Sequence, residues 1–252
     1  MAKKFDLNDD SVAVVIGSGA GGGTLSNELA QKGVNVVCLE AGKRYTPDDF
    51  VNDEWGAFLQ TAWLDKRTTS GSWRVATDFS GLPAWIVKSV GGSTLHWAGA
   101  SLRFQEHEFK VRTEYGDITG ANLLDWPISL KEMEPYYDKA EDKIGVTRTH
   151  GIPGLPGNNN FKVLYDGAKK MGYKDCHTGR MGINSVPRDG RNACLQLGFC
   201  FHGCKSGAKW SAGYSEIPKA EKTGNFELRT ESHVIQITHN KNGKIDGVVY
   251  VD

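Results

Sequence analysis

A run of six residues near the N-terminus, Gly17-Ser18-Gly19-Ala20-Gly21-Gly22, contains the spacing G-x-G-x-x-G. In this pattern Gly17 permits a tight turn, Gly19 lets the backbone approach a pyrophosphate, and Gly22 lets a helix pack closely on a strand. A helix that begins here offers unpaired N–H groups and a partial positive charge to phosphate. The chemistry that these residues indicate is the binding of a dinucleotide.

The flanking residues are those expected of a βαβ unit. Residues 12–16 form a short, β-branched apolar run, which predicts a strand buried on both faces. Residues 24–32 predict a helix that ends at Gly33, and residues 34–39 predict a second strand. Glu40 ends that strand eighteen residues after Gly22, where an acid can accept hydrogen bonds from an adenosine ribose. A lone motif would also fit a glycine-rich turn, but this context favours a dinucleotide site.

A second glycine-rich segment, residues 87–104, includes Gly91-Gly92-Ser93-Thr94 followed by Leu95, His96 and Trp97. Paired glycines beside Ser and Thr expose backbone N–H groups, which suit an anion or the polar edge of a planar ring. From spacing alone, a tight turn that carries one core histidine explains the segment equally well.

Three of the five cysteines form a C-x5-C-x3-C set, Cys194, Cys200 and Cys204. Three thiolates at this spacing can hold an iron–sulfur cluster, and three ligands suit a three-iron cluster better than a four-thiolate one. A zinc site that adds His202 is a second interpretation. A disulfide plus a free thiol is the third, and an odd cysteine count without an export signal makes it the weakest.

The composition limits the classes of partner. Thirty basic residues balance thirty acidic ones, so neither a nucleic acid nor an anionic membrane surface is indicated. Neither a run of 18 apolar residues nor a signal peptide is evident, which predicts no membrane span and a cytoplasmic location by the chain's own signals. A length of 252 residues with 39% hydrophobic residues suffices for a substantial core.

The remaining chain is predicted in outline. Residues 43–85 are an aromatic-rich excursion with one or two short helices. Ser129 and Glu132 are predicted to start a helix that ends at Gly145, with Asp138, Glu141 and Asp142 on its solvated face. A short helix is expected over residues 161–171, and strands over 226–230, 234–238 and 247–252.

Together these residues resemble the N-terminal half of a glucose–methanol–choline (GMC) oxidoreductase. The resemblance rests on the first glycine motif, on Glu40-Ala41-Gly42, on Gly91-Gly92-Ser93-Thr94 and on Asp125-Trp126-Pro127-Ile128. The residues from Ser93 to Trp97 and the cysteine set are most similar to the dehydrogenase branch, which acts on gluconate, fructose, sorbitol and glucose. The resemblance implies an α/β, Rossmann-like FAD-binding fold with an irregular α+β insertion, as an incomplete GMC fold.

The resemblance also implies roles for single residues. Those expected to contact FAD are Gly17, Ser18, Gly19, Ala20, Gly22, Glu40, Ala41, Gly91, Gly92, Ser93, Thr94, His96 and Trp97. His96 is similar to the histidine that bonds covalently to the flavin in pyranose oxidase. Cys194, Cys200 and Cys204 would hold a three-iron (3Fe-4S) cluster.

The implied organisation is one N-terminal part of a GMC domain over residues 1–252. It comprises the βαβ unit (9–42), the flavin-contacting segment (86–104), an insertion that carries the cysteines (105–225) and returning strands (226–252). Family members are longer, and their catalytic base lies in a C-terminal block. None of the seven histidines here matches that context, so we expect no catalytic base in this chain, which looks truncated.

The implied function is oxidation of a CH–OH group of a sugar, sugar acid or other alcohol, with electrons passing through the cluster to a cytochrome or quinone. A small export or chaperone-like subunit and a cytochrome c subunit are the implied partners, and the former could carry the chain to the periplasm. The alternatives are a non-catalytic fragment that binds FAD and metal, or one piece of a split enzyme.

Overall fold

A computed structural model describes residues 4–53 and 87–252 of the chain. Most of the predicted excursion, residues 54–85, lies outside the described residues. The chain forms two compact units, one of residues 1–98 with 195–252 and one of residues 99–194. Residues 195–225, which the sequence assigns to the insertion, therefore belong to the first unit.

The first unit is built on a parallel sheet. Strand β1 (Ala13–Ile16) leads through the glycine motif into helix α1 (Ala20–Gln31), and β2 (Val36–Leu39) follows. Strand β3 (Phe226–Arg229) returns to pair with β2, so that the order is β1-β2-β3. All pairs are parallel, as in a Rossmann-like fold. The predicted fold class is confirmed.

Among the described residues, one face of this sheet carries the buried core. Helix α1 and helix α6 (Glu216–Lys222) pack together, and the cluster between them and the sheet includes Val15, Val36 and Cys38. The opposite face borders a cavity of about 1020 Å³, where Val14 and Ile16 are each 48% exposed. The prediction that β1 is buried on both faces is therefore wrong for these side chains, because no helix of the described structure covers them.

The last two strands form a separate hairpin. Strands β4 (His233–His239) and β5 (Ile245–Val251) pair antiparallel, as alternation in the sequence predicts for this region. The Asn240 side chain accepts from the backbone N–H groups of Asn242 and Lys244 and thereby closes the turn. The strand that the sequence predicts over 226–230 is β3 of the parallel sheet.

The second unit contains four helices: α2 (Glu106–Phe109), α3 (Val111–Tyr115), α4 (Leu130–Ile144) and α5 (Asn159–Lys170). Helix α4 confirms the prediction, because Ser129 and Glu132 form a capping box and Gly145 ends the helix with a φ of 77°. Among the described residues, no helix combines the length and apolarity that crossing a membrane requires.

Candidate functional site

The first glycine motif is organised by the Glu40 carboxylate at the end of β2. Its Oε2 atom accepts from the backbone N–H of Ser18 (3.0 Å) and from the Ser18 hydroxyl (2.7 Å). Its Oε1 atom accepts from the backbone N–H of Gly42 (2.9 Å). Because a carboxylate oxygen has two lone pairs, Oε1 keeps one position for a further donor such as a ribose hydroxyl. Glu40 therefore shapes the loop in addition to its predicted contact with ribose.

The shape of the turn fits a bound pyrophosphate. A Cβ at Gly22 would lie 1.9 Å from the Gly17 carbonyl oxygen, so the helix sits directly against the turn. In contrast, a Cβ at Gly17, Gly19 or Gly21 would meet no atom within 4 Å, which leaves the outer side of the loop open. Gly19 caps α1 without a side chain, and the first-turn N–H groups have no acceptor within the helix. These donors and this space match the requirements of a diphosphate.

The second predicted segment lies against the first. The backbone N–H of Gly91 donates to the Ser18 hydroxyl (3.1 Å), and a Cβ at Gly92 would lie 3.1 Å from the Cα of Gly19. Ser18 is fully buried and thus joins Glu40 on one side to Gly91 on the other. The fold therefore brings the two predicted cofactor segments together, which the sequence could not show.

A third segment that sequence reasoning missed supports this junction. The Thr94 hydroxyl donates to the Gly91 carbonyl, bonds the Ser211 hydroxyl (2.9 Å) and accepts from the Ala212 N–H (3.2 Å). A Cβ at Gly213 would lie 2.5 Å from the carbonyl oxygen of Val90, so these backbones are in close contact. The available signal was Ser211-Ala212-Gly213 just before a helix, but such small-residue runs are common.

His96 and Trp97 continue the second segment into the interior. His96 is 3% exposed, and its Nδ1 lies 2.9 Å from the Phe201 carbonyl oxygen, which makes Nδ1 the protonated nitrogen. Burial lowers the pKa of His96 to about 4, so the ring is neutral at pH 7. The Trp97 indole N–H donates to the Trp210 carbonyl (2.9 Å), and the two rings meet edge to face. Both side chains thus hold the segment in place.

The predicted cysteine set is divided between the two units. Cys200 begins a single 3₁₀ turn (Cys200–His202), and Cys204 follows it, both in the first unit. Cys194 belongs to the second unit. None of the five cysteines forms a disulfide. The Cys204 sulfur accepts from the backbone N–H of Lys209 (3.3 Å), a type of bond that suits a thiolate ligand.

In the second unit, Asp138, Glu141 and His150 bring ligand-type atoms within 4.8 Å of one another. Arg103 already donates to both carboxylates, at 2.5 Å to Asp138 and 2.6 and 2.8 Å to Glu141. This guanidinium lowers the pKa of Glu141. Glu141 is 5% exposed, so its predicted place on the solvated face is wrong. Arg180 lies 3.4 Å from the Glu141 carboxylate as well, so the two carboxylates face two guanidinium groups in one ion-pair network.

Comparison with known proteins decides the family. The sequence profile described as GMC oxidoreductase matches residues 69–252, more than half of the chain. The chain belongs to the GMC oxidoreductase family. Related proteins include 2-methyl-1,2-propanediol dehydrogenase of Mycolicibacterium austroafricanum, with 32% identity over 97% of this chain, and the fructose dehydrogenase large subunit of Gluconobacter japonicus, with 29% identity over 84%. The predicted family is confirmed.

Solved structures agree on the fold. Pyridoxine 4-oxidase from Mesorbium loti superposes on 96% of this chain with a TM-score of 0.57 at 16% identity. The chain spans about half the length of the relatives that it matches, 46% of the propanediol dehydrogenase and 43% of the fructose dehydrogenase subunit. Family and fold together support FAD as the dinucleotide of this GMC chain.

Proposed function

We propose that this chain is the FAD-binding part of a dehydrogenase that oxidises a CH–OH group of an alcohol, sugar or sugar acid. The observation that carries the proposal is the bridge from Glu40 through Ser18 to Gly91, because it joins a ribose-binding acid to a second glycine segment. The dehydrogenases and oxidases among the relatives support the reaction class.

The residues of the chain would share the work of holding FAD. The N–H groups at the start of α1 would bind the diphosphate, and Glu40 Oε1 would accept from the ribose. The segment from Gly91 to Trp97 would contact the flavin, where the neutral His96 would add no positive charge. Bound FAD supplies a two-electron acceptor for the hydride of the substrate C–H. We assign the role of catalytic base to none of the histidines in this chain. We propose that the base lies in the part of the relatives that this chain does not span.

We further propose that Cys194, Cys200 and Cys204 bind a three-iron cluster. The N–H donor to the Cys204 sulfur, the soft ligand set and the lack of a disulfide among these cysteines support it. Such a cluster would transfer electrons one at a time from the reduced flavin to a haem or to a quinone. A zinc site with His202 stays the competing interpretation.

The proposed partners come from the same relatives. Fructose dehydrogenase large subunit is by its name one subunit of an assembly, and gluconate 2-dehydrogenase flavoprotein is a further relative. A cytochrome c subunit and a small export subunit that takes this chain to the periplasm would complete the assembly proposed here.

The test is anaerobic purification with an absorption spectrum and assays of iron and acid-labile sulfide on one sample. We expect flavin bands with about three irons per chain, as three thiolate ligands imply. Cys204→Ser should lose the iron, whereas Cys176→Ser, a half-buried cysteine outside the set, should keep it. Flavin without iron would refute the cluster and leave zinc. Absence of flavin would refute the FAD proposal.

Activity decides between the enzyme and the two alternatives. Turnover of an alcohol or sugar with a dye acceptor by this chain alone would exclude the non-catalytic fragment. Turnover only after addition of a second polypeptide would indicate a split enzyme.

A further inference from the structure

Lys209 is the largest fully buried side chain in the described structure, with 0% exposure. Its ammonium donates to three backbone carbonyls, those of Leu95 (2.9 Å), Trp97 (2.6 Å) and Cys200 (2.6 Å). An ammonium group has three donors, so all of them are used. Lysine is almost never fully buried unless it is paired in this way.

The three carbonyls come from two separate parts of the first unit. Leu95 and Trp97 lie in the flavin-contacting segment, and Cys200 begins the cysteine turn, defined here as residues 200–204. The backbone N–H of Lys209 also donates to the Cys204 sulfur. One residue therefore bonds the first cysteine of this turn through its side chain and the last through its backbone.

One further bond joins the same two parts, because His96 Nδ1 pairs with the Phe201 carbonyl (2.9 Å). Lys209 itself is held by the Tyr214 hydroxyl, which donates to the Lys209 carbonyl (2.8 Å). His96 lies between the two residues whose carbonyls Lys209 binds. Lys209 therefore fixes the backbone on both sides of His96, and the Phe201 carbonyl of the cysteine turn fixes the ring itself.

A buried ammonium is costly, and burial lowers the pKa of Lys209 to about 8. A methionine of similar length would fill the space without this cost, but it would remove one donor from each of three carbonyls. Because a buried carbonyl that loses its donor is destabilised, the segments would then separate more readily.

We propose that Lys209 is a positioning residue that holds the flavin-contacting segment and the cysteine turn as one body, so that loss of the Lys209 hydrogen bonds weakens FAD binding. The expected effect on FAD binding rests on the proposed function. The clamp, meaning the three hydrogen bonds from the Lys209 ammonium to the two segments, does not.

The clamp is tested by amide hydrogen exchange on the FAD-free chain. Lys209→Met should raise exchange at least about tenfold in peptides that cover residues 91–98 and 199–204, because the first peptide loses two hydrogen bonds and the second loses one, each worth up to about that factor. Lys205→Met is the matched control. Lys205 is exposed, and its ammonium donates to the backbone carbonyls of Asp48 and Phe50. Because neither carbonyl lies in the two peptides, Lys205→Met should leave exchange in both peptides unchanged. Wild-type exchange in either peptide of Lys209→Met would overturn the proposal.

The consequence for FAD is tested by titration with flavin fluorescence as the readout. Lys209→Met should weaken FAD binding about tenfold, with an altered visible absorption band, and Lys205→Met should bind within twofold of wild type. Faster exchange with unchanged FAD affinity would overturn the transmission to FAD. If the wild-type chain bound no FAD, the proposed function would fail while the exchange comparison still decided the clamp.

A milder variant covers the case in which Lys209→Met does not fold. Lys209→Gln keeps two N–H donors on a shorter, neutral side chain. It should give an intermediate increase in exchange that is confined to the same two peptides. An increase spread evenly over β1, β2 and α1 would show a general loss of packing and would overturn the positioning role.

Discussion

Substitution of Gly22 by alanine tests the geometry of the glycine motif most directly. The added Cβ would lie 1.9 Å from the Gly17 carbonyl oxygen and 3.3 Å from a methyl carbon of Val15. Contacts below 3.0 Å do not occur for real Cβ atoms, so the backbone of the turn must move by about an ångström. The neighbouring Gly21 offers the matched control, because its Cβ would meet nothing within 4 Å and it lies in the same helical turn.

The expected magnitude follows from two opposing effects. Overpacking against a rigid backbone costs about 1–3 kcal/mol, occasionally more. Replacing glycine by alanine in a helix returns up to about 1 kcal/mol at either position. Gly21→Ala should therefore be neutral or slightly more stable than wild type. Because this gain is the same at both positions, Gly22→Ala should be less stable than Gly21→Ala by the overpacking cost, about 1–3 kcal/mol.

Thermal unfolding of the FAD-free proteins, followed by far-UV circular dichroism, measures this difference. For a chain of this size about 2–4 °C corresponds to each kcal/mol, so the two variants should differ in Tm by roughly 2–12 °C. FAD titration of the same samples should show weaker binding by Gly22→Ala, because the turn that presents the N–H groups has moved. Equal Tm values for the two variants would refute the close approach of α1 to the turn.

Three further predictions concern Glu40, His96 and Arg103. Glu40→Gln places an amide N–H against donors of Ser18 or Gly42, so FAD affinity should fall by about tenfold or more in a titration, and unchanged affinity would contradict the role given to Glu40. The pKa of His96 is about 4 in the folded chain and 6.5 for an ordinary histidine. Between pH 4 and pH 6.5 the unfolded chain therefore binds more protons than the folded chain. The free energy of unfolding should fall by up to about 3 kcal/mol as the pH drops from 6.5 to 4, and urea titrations should show a smaller fall for His96→Gln. Arg103→Met leaves the buried Glu141 with only a 3.4 Å contact to Arg180 and should cost about 1–3 kcal/mol in urea unfolding, and a change below 0.5 kcal/mol would contradict the buried pair.

Local patterns predicted the elements around the site. The glycine spacing, the apolar runs and Glu40 indicated strand, helix and strand, and the structure has them as β1, α1 and β2. The capping pair Ser129 and Glu132 likewise located the start of α4. These features can be predicted from the sequence because turns, caps and short-range periodicity depend on residues close together in the chain.

Contacts between distant residues were decided only by the tertiary structure. Ser18 meets Gly91 across 73 positions, and Lys209 reaches Leu95 across 114. The half-exposed side chains of β1 and the burial of Glu141 were also predicted wrongly from local pattern. Hydrophobic periodicity reports how an element is suited to pack, but whether a face is covered, and which carbonyl receives a buried donor, depends on chain segments that no local pattern encodes. The sequence alone therefore determined the family and the dinucleotide turn, whereas the fold decided how its two cofactor segments are joined, because that joining rests on long-range hydrogen bonds.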